Sequence, residues 1–277
     1  MKILVTGSSG LPGNEVVRLL KERGIPCLGV DHPEFDPADV DSVRRCVEDY
    51  APDAILHCAG YTDADKAESL PERCAEVNGF GALTVARAAV RAGAKMLYLS
   101  SAQVFPGTGD QPFAASDPYG PKNVFGMSKV QGEDAVRSLM TRYYIVRSDW
   151  IYGAGRKDFI RPLIRAAQEK KVLRVAGDQF GSPTWARDLA RVLCDLIVTE
   201  KYGIWHARNE GFLSRAEFAE LVMKKAGIDC RIVPVPTAEI PGAPRRPLNC
   251  RLAAELPPEI SPMPSVEDAL DRYLQTF

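Results

Sequence analysis

The sequence predicts an α/β protein built on a doubly wound parallel sheet, with a smaller α/β lobe toward the C-terminus. Two observations support this prediction. Short β-branched apolar runs alternate with amphipathic helical stretches through the first two thirds of the 277 residues, and a glycine-rich turn follows the first run. Strands that are apolar throughout, with helices between them, are typical of a parallel sheet covered on both faces.

Six apolar runs are the predicted strands of this sheet. In chain order they are 2–7 (KILVTG), 26–31 (PCLGVD), 53–60 (DAILHCAG), 95–101 (KMLYLSS), 143–148 (YYIVRS) and 172–177 (VLRVAG). The predicted helices between and after them are 11–22, 40–50, 75–92, 124–140, 159–169 and 186–198. This alternation predicts right-handed crossover connections, as in other doubly wound folds.

The last third of the chain has a different character. Ser214 and Glu217 have the spacing of a capping box at the start of a helix. A proline-rich segment, 234–247, separates the helical stretches that follow. The predicted main domain comprises 1–150 and 171–200, and the predicted lobe comprises 151–170 and 201–277.

Charge and composition exclude several classes of protein. A formal net charge of -1 provides no electrostatic footprint for nucleic acid or an anionic membrane surface. No apolar run reaches the ~20 residues that a membrane helix needs, and the chain opens on a strand pattern instead of a signal peptide, so we expect a cytoplasmic protein. Seven scattered cysteines and three distant histidines predict neither a disulfide framework nor a metal site. Glu15 is a weak metal candidate, because an acid near a helix N-terminus also complements the helix dipole.

The turn after the first strand has the features of a dinucleotide site. Gly7, Gly10 and Gly13 lie at three-residue spacing between a strand and a helix. Glycine allows a sharp turn and close approach of the backbone to a pyrophosphate, which the helix N-terminus attracts; the alternative is a purely structural turn. Asp31 ends the second strand, where an acid accepts the adenosine ribose hydroxyls, and this favours NAD over NADP. Its alternative role is to form the turn before Pro33.

With these residues in view, the chain resembles the extended short-chain dehydrogenase/reductases, and among them the dTDP-4-dehydrorhamnose reductases. The resemblance covers nearly the whole chain. The segments that carry it are TGSSGLPG (6–13), AGYTDADKAE (59–68), VFPG (104–107), NVFGMSKVQGE (123–133), VRSDWIYG (146–153), DQFGSPT (178–184) and RRPLNCRL (245–252). It implies a Rossmann-type domain with NADPH or NADH as cofactor, a substrate-binding lobe, and hydride transfer to the C4 ketone of a dTDP-4-keto-6-deoxy sugar in dTDP-rhamnose biosynthesis.

The resemblance also implies a catalytic set. In such reductases a lysine holds the nicotinamide ribose and lowers the pKa of a tyrosine four residues earlier, which protonates the developing alkoxide. A hydroxyl residue at the end of the preceding strand polarises the carbonyl. Lys129 matches the lysine and Ser101 the hydroxyl residue, but Phe125 stands where the tyrosine is expected. The nearest phenols in the sequence are Tyr119 and Tyr61.

Further contacts follow from the same resemblance. The implied cofactor contacts are Gly7, Ser9, Gly10, Leu11, Gly13, Asp31, Asp36, Cys58, Ala59, Gly60, Tyr61, Asn78, Ser100 and Lys129. The implied substrate contacts are Ala102, Gln103, Val104, Phe105, Trp150, Gln179 and Arg246. The sequence departs from the family pattern at Ala102 and Gln103, where an acid and a tyrosine are expected. It departs again at Pro37, which has no N–H to donate to adenine beside Asp36.

Two functions are compatible with this pattern. The first is an NAD(P)-dependent oxidoreductase with an atypical active site, which the glycine turn and Lys129 favour. The second is a catalytically impaired nucleotide-binding protein with a regulatory or sensor role, which the changes at Ala102, Gln103 and Phe125 favour. Either function implies a small-molecule nucleotide sugar as ligand, and a homodimer and a partner enzyme both remain open.

Overall fold

A six-stranded parallel sheet forms the centre of the molecule. The structure is a computed structural model that describes residues 1–155, 159–240 and 246–277. The strands are β1 (Ile3–Thr6), β2 (Cys27–Val30), β3 (Ala54–His57), β4 (Lys95–Ser101), β5 (Tyr143–Ser148), β6 (Ile151–Tyr152), β7 (Val172–Ala176), β8 (Phe180–Gly181), β9 (Thr184–Trp185), β10 (Gly203–His206), β11 (Leu213–Ser214) and β12 (Arg231–Val235). The central sheet has the order β10-β5-β4-β3-β1-β2, and all its pairs are parallel. The predicted fold class is confirmed.

Helices connect these strands. They are α1 (Leu11–Glu22), α2 (Val40–Tyr50), α3 (Ala64–Ala67), α4 (Pro71–Ala75), α5 (Gly81–Ala92), α6 (Val124–Leu139), α7 (Ile160–Glu169), α8 (Ala186–Ile197), α9 (Arg215–Ala226) and α10 (Val266–Leu274). A π-helical segment, Glu76–Phe80, divides the helix predicted at 75–92. Short 3₁₀ turns lie at Ala102–Val104 and Thr237–Glu239. None of the helices in the described ranges has the length and apolar character needed to cross a membrane.

Both faces of the sheet are buried, because successive strand residues point to opposite sides. Ile3 and Leu97 pack on one face against side chains of α1 and α8. Leu4 and Met96 pack on the other face against side chains of α2, α5 and α6. The carboxyl ends of the strands are therefore the edge of the sheet where loops can form a ligand site, as in other open α/β sheets.

A second cluster of elements has its own core. β7 pairs with β12, β8 with β11, and β6 with β9. Side chains of α7, α9 and α10 form one hydrophobic cluster there, which includes Tyr152, Phe218 and Tyr273. The capping box predicted at the start of α9 is present: Ser214 Oγ accepts from the Glu217 N–H, and the Glu217 carboxylate accepts from the Ser214 N–H.

Strand pairing differs from the predicted domain boundaries in two places. The run 172–177, predicted for the central sheet, forms β7, which pairs with β12 in the lobe. The segment 201–277, predicted for the lobe, begins with β10, which joins the central sheet beside β5. An apolar run specifies a strand but not its partner, so the sequence pattern could not place these two strands.

Candidate active site

The first turn of the central sheet leaves its backbone open to a ligand. Gly7 has φ +69°, and a Cβ there would lie 2.6 Å from the Ala59 nitrogen. A Cβ on Gly13 would lie 2.1 Å from the Gly7 carbonyl oxygen, so α1 packs against the turn only with glycine at this position. The N-cap residue Gly10 has no side chain to satisfy the first N–H groups of α1. Together with Leu11, these glycines fit a site for a dinucleotide pyrophosphate.

The carboxylate of Asp31 is joined to this turn. Its Oδ2 accepts hydrogen bonds from the Ser9 N–H at 2.8 Å and from the Ser9 hydroxyl at 2.5 Å, and its Oδ1 accepts from the His32 N–H. Partial burial acts to raise the pKa of Asp31, but the Ser9 and His32 hydrogen bonds outweigh it and lower the pKa below its usual value. Asp31 is therefore an ionised acceptor at the end of β2, where the sequence placed it.

Asp36 is occupied by local contacts. Its Oδ1 accepts from the Ala38 N–H at 2.9 Å, and its Oδ2 lies 3.2 Å from His32 Nε2. The ring of Pro37 lies against Gly81 at the start of α5, since a Cβ on Gly81 would be 3.1 Å from Pro37 Cβ. The Ala38 N–H is thus used within the turn, by the Asp36 carboxylate, and Pro37 has no N–H to donate.

The segment after β3 is held by Asn78 of the π-helical segment. Asn78 Oδ1 accepts from the Tyr61 N–H at 2.8 Å, and its Nδ2 donates to the Tyr61 carbonyl and to Ser128 Oγ. A Cβ on Gly60 would lie 3.0 Å from the same Oδ1. Asn78 is 1% exposed, and through these hydrogen bonds it positions the loop that comprises Cys58, Ala59, Gly60 and Tyr61.

Lys129 lies buried beside the end of β4. Its Nζ donates to the Leu99 carbonyl at 2.7 Å and lies 4.1 Å from the centre of the Tyr98 ring. Burial lowers the pKa of Lys129 to about 8, although the Glu133 carboxylate opposes this change. Two residues beyond Leu99, Ser101 Oγ accepts from the Gln103 N–H at 3.2 Å. The Lys129 ammonium, carried by α6, and the Ser101 hydroxyl therefore both lie at the carboxyl end of β4.

Phe125 packs within an apolar cluster. Its neighbours there are the buried Ala67 and Cys74, with Tyr61 and Ala64 at the edge. The ring is 9% exposed. The position that the resemblance assigns to a phenol is thus occupied by a well-packed hydrocarbon side chain that cannot donate a proton.

The predicted substrate contacts at 102–105 are mostly interior. Val104 and Phe105 are fully buried, and Ala102 is 1% exposed; all three lie in one cluster with Cys250. Ala102, Val104 and Phe105 therefore lie in the interior of this structure, and their contact with a substrate stays a prediction. Gln103 alone is partly exposed, and its Oε1 accepts from Asn123 Nδ2 at 2.7 Å.

The remaining predicted substrate residues border the lobe. Trp150 has φ +45°, and the guanidinium of Arg215 lies 3.7 Å from the centre of its ring. Gln179 is buried and donates to Thr237 Oγ1 at 3.0 Å. Arg246 donates to Asp65 Oδ1 at 2.5 Å. A positive φ at a residue other than glycine is strained, and such strain is concentrated at functional sites, which supports the choice of Trp150.

Comparisons with known proteins agree with this geometry. The family model described as RmlD substrate binding domain matches residues 1–277. The chain belongs to the RmlD substrate-binding domain family. A solved dTDP-4-dehydrorhamnose reductase from Bacillus anthracis str. Ames, in complex with NADP, is 32% identical with a TM-score of 0.96, over 100% of this chain and 99% of that chain.

Two curated proteins are similar to this RmlD family chain over most of its length. The spore coat polysaccharide biosynthesis protein SpsK of Bacillus subtilis (strain 168) is 35% identical over 275 residues, which is 99% of this chain and 97% of that protein. A dTDP-4-dehydrorhamnose reductase of Streptomyces griseus is 38% identical over 232 residues, which is 82% of this chain and 76% of that protein. The predicted family is confirmed.

The structure adds a buried ion pair that the sequence did not reveal. In this RmlD family chain, Arg147 donates to both carboxylate oxygens of Glu133, at 2.9 and 2.7 Å. The same carboxylate accepts from the hydroxyls of Ser100 and Tyr119. Ser100, predicted as a cofactor contact, is therefore a partner of Glu133. The only sequence signal was one charged residue within an apolar strand, and that signal does not identify its partner.

A second group that the sequence did not reveal is Asp149, between β5 and Trp150. It is 5% exposed, and burial raises its pKa to about 6 despite the nearby charge of Arg215. Its Oδ2 makes no hydrogen bond within the described ranges. The signal that could have found it is an acid directly after an apolar strand, inside the motif VRSDWIYG.

Proposed function

We propose that this chain reduces the C4 ketone of a dTDP-4-keto-6-deoxy sugar, with NADPH or NADH as cofactor. The observation that carries the proposal is the buried ammonium of Lys129 at the end of β4. Burying a cation is costly, and the lowered pKa of Lys129 measures that cost. A side chain with only a structural role here would be better apolar, so its retention supports the role that the family gives this lysine.

The residues present fit the cofactor. The turn from Gly7 to Gly13 would hold the pyrophosphate at the N-terminus of α1, Asp31 would accept the adenosine ribose hydroxyls, and Lys129 would hold the nicotinamide ribose. When bound, the reduced nicotinamide supplies the hydride. We propose NADH as the better cofactor, since the ionised Asp31 repels the extra phosphate of NADPH.

The proton must come from a group other than residue 125. Tyr119 does not supply it: its hydroxyl donates to Glu133 Oε2 at 2.7 Å, and burial together with the Glu133 charge raises its pKa to about 12. Tyr61 packs at the edge of the Phe125 cluster. A reductase with this site therefore needs an acid other than residue 125 and Tyr119.

We propose that the lobe binds the sugar. Its predicted extent is 151–170 and 201–277, and β7 and β10 are the strands whose pairing differs from this prediction. We also propose a cytoplasmic location. All seven cysteines are free, as in proteins of reducing compartments.

The second candidate is a regulatory or sensor protein that binds NAD(P) or a nucleotide sugar without turnover. The packing of Phe125 among apolar side chains and the burial of Ala102 favour it, because each places an apolar side chain where the family pattern has a polar one. Such a protein would retain the cofactor site but would not catalyse the reduction.

One experiment separates the two candidates. The protein is mixed with NADH and dTDP-4-dehydrorhamnose, and cofactor absorbance is followed in single turnover for the wild type and for Phe125→Tyr. A positioned acid is worth ~10²–10⁴-fold, so we expect slow turnover in the wild type and a gain of at least about tenfold in the variant. Phe80→Tyr, at a 43% exposed position, is the matched control and is expected to change nothing.

Each outcome has a clear meaning. Cofactor binding without turnover at any pH in the wild type contradicts the reductase and supports the sensor. Failure to bind either cofactor in a fluorescence titration contradicts the reductase and a sensor of NAD(P), since both rest on the glycine turn.

A further inference from the structure

Two consecutive polar groups at the end of β5 have no hydrogen-bond partner within the described ranges. They are Ser148 Oγ and Asp149 Oδ2, both fully buried atoms. Buried polar groups are nearly always paired, so such exceptions require an explanation, and a catalytic role is one such explanation. The side chains of Ser148 and Asp149 are 2% and 5% exposed.

The position of Asp149 places it beside the catalytic strand end. In the parallel register of β4 and β5, Ser101 is the partner of Ser148. Ala102 and Asp149 are therefore the residues that follow two neighbouring strand ends. The family pattern has an acid at the position of Ala102, and in this chain the carboxyl group stands instead on the adjacent strand end.

The surroundings of Asp149 belong to the lobe side of the site. A Cβ on Gly181 would lie 3.1 Å from Asp149 Oδ2 and 3.0 Å from the Trp150 ring, so β8 approaches both side chains closely. Trp150 itself has a strained backbone, with φ +45°. The carboxyl group is thus enclosed between the strand end and the lobe, beside the residue predicted to contact the sugar.

We propose that Asp149 is the proton donor of the reaction, in place of the phenol that Phe125 lacks. This inference rests on the proposed reductase function. As the hydride forms a new C–H bond at C4, the electron pair of the C=O π bond moves to the oxygen. That oxygen takes the proton of the Asp149 carboxyl group and becomes a hydroxyl, and the carboxylate is reprotonated from water before the next turnover.

The charges around Asp149 suit this role. The groups that face it are Arg215 at the start of α9, Arg246, the Cys250 thiol and the Trp150 N–H. Burial is the largest effect and raises the pKa of Asp149 to about 6, which keeps a protonated fraction available near neutral pH. No ion pair within 4.0 Å joins Asp149 to a cation of the described residues, yet Arg215 is near enough to stabilise the carboxylate that the reaction leaves.

The alternative is that Asp149 only balances the charge of Arg215. That role needs an ionised carboxylate and predicts no effect on the chemical step. The proton-donor role needs the protonated form, so the single-turnover rate of the wild type is expected to fall about tenfold per pH unit above its apparent pKa of about 6.

The test compares Asp149→Asn with the wild type and with Asp229→Asn, a matched change at a 98% exposed position. We expect Asp149→Asn to lower the single-turnover rate by about 10²-fold or more, to abolish the decline above pH 6, and to leave NADH affinity within about twofold. In Phe125→Tyr/Asp149→Asn, the new phenol should restore the rate, which a folding defect would not allow.

A second measurement does not depend on activity. In protein labelled with ¹³C at the aspartate carboxyls, one resonance should titrate near pH 6 and be absent from the spectrum of Asp149→Asn. Turnover in the wild type that Asp149→Asn preserves, or a rescue failure in the double variant, overturns this inference alone. Absence of turnover in the wild type at every pH overturns the proposed function, and with it this inference.

Discussion

Lys129→Met should make the protein more stable at neutral pH, and by an amount that depends on pH. Lys129 is 5% exposed, and burial lowers its pKa from 10.5 to about 8. A folded state with a lower pKa than the unfolded state binds fewer protons in the interval between the two values. Stability due to this group therefore rises as pH increases from about 8 to 10.5, and the full penalty is present below about pH 8.

The size of this change in stability follows from the difference between the two pKa values of Lys129. A difference of about 2.5 pH units corresponds to about 3 kcal/mol, at about 1.4 kcal/mol per unit. Methionine has a similar length and no charge, so the variant lacks this pH-dependent penalty. It also loses the hydrogen bond of the uncharged Lys129 amine to Leu99, worth about 0.5–1.5 kcal/mol, and this loss shifts the free energy of unfolding equally at every pH.

The assay is urea unfolding of both proteins between about pH 7 and about pH 10, with the free energy of unfolding extrapolated to water. The quantity of interest is the difference between Lys129→Met and the wild type, because other groups titrate equally in both. The free energy of unfolding of Lys129→Met minus that of the wild type should decrease by about 2–3 kcal/mol as the pH rises across this interval. A difference that stays constant with pH would refute the assignment of a lowered pKa to Lys129. Lys171→Met, at an 81% exposed position, is the control.

Two further predictions concern the glycine turn and the buried ion pair. Gly13→Ala places a Cβ 2.1 Å from the Gly7 carbonyl oxygen and should weaken NADH binding by at least about tenfold. Gly10→Ala places its Cβ 3.2 Å from the same oxygen and should weaken NADH binding much less. Equal losses of affinity in a fluorescence titration would count against the turn geometry. Arg147→Met leaves the Glu133 carboxylate buried without its cation and should lower the free energy of unfolding by about 3–5 kcal/mol, and Arg147→Met/Glu133→Gln should recover much of this loss in urea unfolding. A double variant as unstable as the single one would show that packing, and not the unpaired charge, causes the loss.

Local patterns predicted the parts of the site that depend on few residues. The glycine turn was predictable because it lies directly between a strand and a helix, and both limits are visible in the sequence. Lys129 and Ser101 were predictable through the family spacing, and the structure brings them to one strand end. Glu133 and Arg147 were not, because their pairing joins α6 to β5 and leaves no periodic signal.

The sequence patterns also could not predict which individual side chains are buried. The segment 102–105 resembles a substrate loop, but the 3₁₀ turn Ala102–Val104 directs Val104 into the interior and leaves only Gln103 partly exposed. Asp149 was not predicted as a site residue, because its sequence context does not distinguish it. A single acid in VRSDWIYG has no distinctive spacing, and its importance depends on burial and on the missing partner, which only the folded chain shows.

The route of the chain between sheet and lobe limits how such a protein can change its specificity. After β5 the chain enters the lobe, returns with α8 and β10 to the central sheet, and enters the lobe again with β11. Replacing the lobe by recombination would require two simultaneous exchanges that preserve the strand between them. New substrates are therefore more easily reached by single substitutions at the strand ends, where residues 102 and 149 follow β4 and β5.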